Sequence, residues 1–194
     1  MLATVPVSPN LNSVPKGSGG FMHPEKIVGE FGIKEGMSIA DFGSGAGYFT
    51  MILGRMVGED GKVYALDIQE TALDNVRVKA RAADLKNIET IRSNLEVEGS
   101  SGLPDNSQDI VLLANILFQS DKKAEIIREA NRVLKNGGRL VLIDWKFGTG
   151  GFGPPDELRT DDVAMRSLVT GERLIFDRAI DAGQFHFGMI FIKS

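Results

Sequence analysis

Two acids and a run of glycines are the residues of this chain best placed to do chemistry. In "IADFGSGAGYFT" (39–50) a short apolar stretch ends at Asp41, and Gly43, Gly45 and Gly47 follow at every second position. Glycines so spaced let backbone approach a ligand where a Cβ would collide. Asp41 stands two residues ahead of them, a carboxylate able to orient a cation or a ligand amide through the loop. A second acid, Asp67, closes "GKVYALDI" (61–68), about 20 residues beyond the glycines, where a carboxylate can accept both hydroxyls of a ribose. Ile68 beside it can offer an apolar surface to a purine. The plainer alternative is a tight strand-to-helix turn, with Asp67 capping the next helix. It explains each feature singly but not their combination.

The spacing also discriminates between ligands. A dinucleotide-binding turn takes its third glycine as G-x-G-x-x-G, and here Tyr48 occupies that position. An acid ahead of the first glycine would repel a pyrophosphate, whereas it suits a ligand carrying an ammonium group and a sulfonium. Other chemistries find less material. There is no cysteine, hence no disulfide framework, thiolate nucleophile or Cys-based metal site. The two histidines, His23 and His186, are far apart, so no metal site is expected. A net charge of −4 with scattered Lys and Arg points away from nucleic acid.

These residues need elements to hold them, and the chain alternates helix-like and strand-like segments from about Pro24 onward. Pro24 can open a short helix. Strands are expected at 37–43, 61–68, 87–94, 109–115 and 138–145. Between them, Phe49, Ile52, Leu53 and Met56 mark one amphipathic helix, and Ala72, Leu73, Val76, Ala80 and Ala83 another. Ile126, Ile127, Ala130, Val133 and Leu134 mark a third, stopped by Gly137. A further helix spans 160–171 with Thr160 as candidate N-cap. The runs 173–181 and 185–193, separated only by "AGQ", should form an antiparallel hairpin. The pattern predicts an α/β fold, a doubly wound Rossmann-like sheet of seven strands, mostly parallel, with one antiparallel strand from the C-terminal hairpin.

Residues 1–20 read as a mobile N-terminal arm and 21–194 as a single domain. The arm has no basic n-region or long apolar h-region, so it is not a secretory signal. The longest apolar run, "IVLLANILF" (110–118), is about half of a bilayer span. No membrane span is expected, and cytoplasm is the expected compartment.

"ADFGSGAGYFT" resembles motif I of the class I S-adenosylmethionine-dependent methyltransferases, and "VYALDI" is similar to their acidic second motif. "GLPDNSQDIVLLANIL" and "REANRVLKNGGRLVLIDWK" resemble the fourth- and fifth-strand segments of the ubiquinone/menaquinone-methyltransferase-like branch (methyltransferase type 11-like). The resemblance implies S-adenosylmethionine as cofactor and methyl transfer to a small-molecule acceptor that it does not name. It implies that Asp41 and the backbone of Gly43, Ser44, Gly45 and Gly47 hold the methionine part, that Asp67 binds ribose, and that Ile68 packs on adenine. Asn94, with Leu95 beside it, occupies the place where the family usually has an acid facing the adenine amine. An Asn can serve there, or can simply start the next turn. Asn115 should face the sulfonium and methyl region, or else satisfy backbone at a buried strand end. Tyr48 lies over the cofactor or packs the first helix.

The acceptor side is less defined. A sulfonium methyl is already activated, so a general base is needed only if the acceptor must lose a proton, and no catalytic residue is assigned. His186 in "QFHFG" is a tempting base with a structural role as the alternative. Phe21, Met22 and His23 can form part of a lid or a plain helix entrance. Arg159 can anchor an acidic acceptor or make a surface ion pair. Where the family often has histidines, after the fourth strand, this chain has Phe118 and Gln119. The short stretch 146–159 carries no large cap, which leaves an open site that the arm, a large substrate or a second copy in a homo-oligomer can complete. Arsenite methylation is disfavoured by the lack of cysteines. A nicotinamide-dependent oxidoreductase and a non-catalytic S-adenosylmethionine-binding protein remain as alternatives.

Overall fold

The computed structural model describes residues 22–149 and 153–194; the proposed arm and Phe21 lie outside these. Seven strands form one sheet in the order β3-β2-β1-β4-β5-β7-β6. They are β1 Ser38–Phe42, β2 Lys62–Asp67, β3 Ile88–Arg92, β4 Gln108–Ala114, β5 Leu134–Trp145, β6 Leu174–Ile180 and β7 His186–Lys193. Strands β1 to β5 pair in parallel, and only β7 runs antiparallel, to β5 on one side and β6 on the other. The expected sheet and hairpin are therefore both present. The helices are α1 Pro24–Val28, α2 Tyr48–Met56, α3 Glu70–Ala82, α4 Lys123–Val133 and α5 Asp162–Gly171.

Alternation along each strand divides the core between the faces of the sheet. In β4, Ile110 and Leu112 pack with Ile27, Phe31, Phe49 and Leu53 from the α1 and α2 side. Val111 and Leu113 pack with Ile126, Ala130 and Val133 of α4 and with Met165 and Val169 of α5. Burial on both faces explains why β4 reads as an unbroken apolar run.

Two boundaries differ from expectation. The helix that Gly137 was to stop already ends at Val133. Leu134 pairs with Gln108 as the first residue of β5, and the register then jumps to Ile110 opposite Arg139. Residues 135–138 thus bulge within the strand edge, and Gly137, at φ 76°, serves that bulge. Asp161 rather than Thr160 caps α5, because its carboxylate accepts from the Val163 and Ala164 amides, two of the helix's free donors.

A polar connector, residues 93–107, runs from β3 to β4 and is pinned to α4 by a buried charge. Glu129 accepts from the Gly99 amide at 2.7 Å and from the Ser101 amide at 3.2 Å, and Arg132 Nη2 donates to it at 2.7 Å. Burial alone would push its carboxyl up. The Arg132, Ser101 and Gly99 donors outweigh that and hold it at about 2. Read as sequence, Glu129 and Arg132 are an ordinary i, i+3 pair on a helix. The fold makes them the anchor of one wall of the cleft described next.

Candidate functional site

The carboxyl ends of β1, β2 and β4 open into a cleft of about 570 Å³, within the range of small-molecule sites. Its floor begins where β1 stops. Gly43 has φ 76° and lies so close to Ile116 that a Cβ there would stand 2.5 Å from Ile116 Cδ1. A side chain at 43 would therefore push the turn away from the loop after β4. The Gly43 and Ser44 amides both donate to the Leu66 carbonyl, at 2.8 and 2.9 Å, and stitch the turn to β2. A Cβ on Gly45 would meet nothing within 4 Å, so this stretch of backbone is bare toward the cleft. Gly47 precedes α2 in the left-handed region and packs toward Val76, off the cleft lining.

The two acids meet at this turn. Asp67 Oδ2 accepts from the Gly45 amide and Oδ1 from the Gln69 amide, each at 2.9 Å. Asp67 thus holds the glycine loop rather than capping α3, whose N-cap is Gln69. Asp41 is 2% exposed and accepts from Thr50 Oγ1 at 2.6 Å. Burial pushes its carboxyl up to about 6, Asp67 adds to the rise, and Thr50 works against it.

Tyr48 and Ile68 stand on the lining 69% and 55% exposed, so both are free to pack on a ligand. Asn94 and buried Leu95 line the connector wall. The Asn94 side-chain oxygen is turned to the Glu96 amide at 3.2 Å, so Asn94 does start a turn. Asn115 lies opposite with φ 56°, its amide donating to Ile143 O and its carbonyl accepting from Gln119 Nε2. Asn is one of the few non-glycine residues that adopt this left-handed region readily. Two buried oxygens on this lining, Asn115 Oδ1 and Ser44 Oγ, have no hydrogen-bond partner among the described residues, which leaves both able to accept from a ligand.

A family profile described as a methyltransferase domain matches residues 33–169, which hold the glycine turn, both acids and the connector. The chain belongs to the class I methyltransferase family. A S-adenosylmethionine-dependent methyltransferase from Aquifex aeolicus superposes with a TM-score of 0.82 at 33% identity, covering 90% of this chain and 91% of that one. A Sulfolobus solfataricus protein described as a candidate type 11 methyltransferase follows with TM-score 0.73 and 29% identity, covering 90% and 94%. The ubiquinone/menaquinone biosynthesis C-methyltransferase of Escherichia fergusonii is 35% identical over 115 residues, 59% of this chain. That match takes in 45% of the relative, so the chain spans about half the length of the curated proteins it resembles.

Within this methyltransferase the acceptor-side expectations fare unevenly. Met22 does line the cleft, while His23 is the N-cap of α1 and makes no side-chain cap bond. His186 is off the lining. It pairs with Trp145 across β7 and β5, with ring centroids 4.1 Å apart, and burial together with Lys146 and Arg159 pushes its imidazole down to about 4. Arg159 is buried too and off the lining; it donates to the Pro154 and Lys146 carbonyls at 2.8 and 3.0 Å and pairs with the partly exposed Asp156 at 3.4 Å, so of its two alternatives it makes an ion pair, and it clasps the loop after β5. Nothing in the local sequence marks Asp144 at the end of β5. Its Oδ2 accepts from the Phe118 amide at 3.1 Å and its Oδ1 from the Trp145 amide at 2.8 Å, which fixes the turn Leu117–Gln119 beside Asn115. Among the described residues, no helix is long and apolar enough to cross a membrane.

Proposed function

We propose that the cleft binds S-adenosylmethionine and that this methyltransferase passes the methyl group to a small, largely apolar acceptor. The observation that carries the proposal is the meeting of Asp41, the bare face of Gly45 and Asp67 at one end of the cleft. Each Asp67 oxygen accepts one amide and keeps a further lone pair, enough for two ribose hydroxyls. Ile68 would pack on the adenine, and Asn94 and Leu95 would border it. Asp41 with the backbone of Gly43 and Gly45 and with Ser44 would hold the amino-acid end, and Tyr48 would cover it. Asn115 would face the sulfonium. When bound, the cofactor supplies an electrophilic methyl, so the chain's residues have to align an acceptor atom against it and keep water out.

The acceptor side is bordered by Met22, Phe49, Ala114 and Ile116, with Asn115 and Gln119 as neutral polar groups. Among the described lining residues there is no histidine or lysine, and the groups that could take a proton from an acceptor are the carboxylates Asp41, Asp67 and Glu96. The Escherichia relative is named as a C-methyltransferase of ubiquinone and menaquinone biosynthesis, and an apolar wall of this kind suits an apolar acceptor. Titration calorimetry with S-adenosylmethionine, S-adenosylhomocysteine and NADH tests the binding half of the proposal. Saturable binding of the two methionine-derived ligands is expected. Binding of NADH with no response to either would overturn it.

A further inference from the structure

We propose that Glu96 is a positioning residue for methyl transfer: it ties the connector wall to the turn that carries Asn115 and Gln119, so that order brought to one wall by the cofactor is passed to the other. This rests on the cofactor reading above and extends it to the acceptor side of the cleft. Both ends of the tie lie on the cleft lining, Glu96 after β3 and Ser120 after β4. Ser120 Oγ donates to Glu96 Oε1 at 2.7 Å, and Lys122 Nζ stands 3.8 Å from Oε2. Among the described residues, these are the polar contacts that join 93–98 to 115–122.

The Ser120 end is firm. Ser120 is buried, its hydroxyl oxygen accepts from the Lys122 amide at 2.9 Å, and its carbonyl accepts from Lys123 Nζ at 2.6 Å. Its one hydroxyl proton is therefore committed to Glu96. The same turn is fastened to β5 by the Phe118 amide on Asp144, and Gln119 Nε2 braces it on the Asn115 carbonyl. The Glu96 end is looser. The far half of the connector is fixed to α4 through Glu129 and Arg132, but between Asn94 and Glu98 only Leu95 is buried. That stretch is otherwise held by bonds within its own turn, from the Glu96 and Val97 amides and Ser100 Oγ to Asn94. Segments with few buried contacts open most readily. A ligand packed on Leu95 would order this wall. The charge-assisted bond from Ser120 to Glu96 then hands that order to the turn where an acceptor has to be aligned.

Amide hydrogen exchange with and without saturating S-adenosylhomocysteine tests this on the whole chain. Wild type, Glu96→Ala, Glu96→Gln and Ser120→Ala are measured, with melting curves for each. Two sets of hydrogen-bonded amides report: Phe118, Gln119 and Ser120 in the turn after β4, and Gly43, Ser44 and Gly45 in the glycine turn. In the wild type the ligand should slow exchange in both sets, and in the first by about tenfold, the scale of one hydrogen bond to a charged group. Glu96→Ala and Ser120→Ala should keep the slowing at the glycine turn and cut it at 118–120 to less than about twofold. Glu96→Gln, whose oxygen still accepts from Ser120, should restore most of it. If Glu96→Ala does not fold, Ser120→Ala carries the same comparison. Slowing at 118–120 retained in the alanine variants overturns the proposal. So does a loss shared equally by both sets, the mark of a merely structural residue, or a Glu96→Gln no better than Glu96→Ala. A wild type in which only the glycine turn responds overturns the proposal but leaves the cofactor reading standing. No response in either set overturns the cofactor reading and this proposal with it.

Discussion

Asp41 closes β1 and Asp144 closes β5, and the two carboxyls are buried almost alike, 2% and 3% exposed. Burial raises each to about 6. Their partners differ. Asp41 is served by one residue, the hydroxyl and the backbone of Thr50, and lies on the cleft lining, with the charge of Asp67 raising it further. Asp144 spends an oxygen on each of two peptide amides, Phe118 and Trp145, lies off the lining, and has Lys123 lowering it. The first therefore reads as a group kept for a ligand, and the second as one that shapes the turn beside Asn115. A shifted carboxyl alone does not separate a binding residue from a supporting one; its partners do.

The sharpest way to break that comparison is to remove both charges. In Asp41→Asn the amide oxygen still accepts from Thr50 and the cost of the buried charge disappears. Stability at pH 7 should rise by about 1–3 kcal/mol while cofactor affinity falls. In Asp144→Asn the amide can accept from only one of the two peptide donors, and its NH₂ confronts the other. That variant should fall about 2 kcal/mol below Asp41→Asn in urea denaturation. Equal stabilities would erase the distinction.

A smaller effect comes from pH. A carboxyl raised on folding contributes stability that is fully present below its unfolded value and lost as pH rises through about 6. Taking the protein from pH 7 to pH 5 should therefore stabilise it by about 1 kcal/mol for each of the two groups. The Asp41→Asn, Asp144→Asn double variant should lose that rise. Glu129, held at about 2, acts in the opposite sense, and its contribution fades only as pH falls from about 4.5 through 2. The smallest effect is expected at Asn115→Gly. Glycine accepts φ 56° without strain, so stability should change by less than about 1 kcal/mol. Affinity for S-adenosylhomocysteine should fall about threefold with the loss of the side-chain amide. A large loss of stability there would make Asn115 a structural residue instead.

The same contrast explains what could be read in advance. The seven strands were legible because buried parallel strands carry unbroken apolar runs and the helices between them carry a 3.6-residue period. The end of β1 was legible because glycines and strand-end acids announce themselves locally. Asp144, Glu96 and Glu129 were not, since each acquires its role from a partner 24 to 30 residues away that only the fold supplies. His186 is the opposite case, and its structural alternative is the one the fold realises. Its residue type suggests chemistry, yet β5–β7 pairing sets it against Trp145. The caps erred by less: Thr160 and Asp161 are both good caps, and their geometry decides between them.

The central claim is that Asp67, tied to the Gly45 amide, grips the ribose of an S-adenosyl ligand. Calorimetric titration of S-adenosylhomocysteine into the wild type and Asp67→Ala at pH 7 tests it directly. One-to-one binding is expected, weakening at least about tenfold in a variant shown to be folded, since two charge-assisted hydrogen bonds are lost. An unchanged dissociation constant in that folded variant would contradict it.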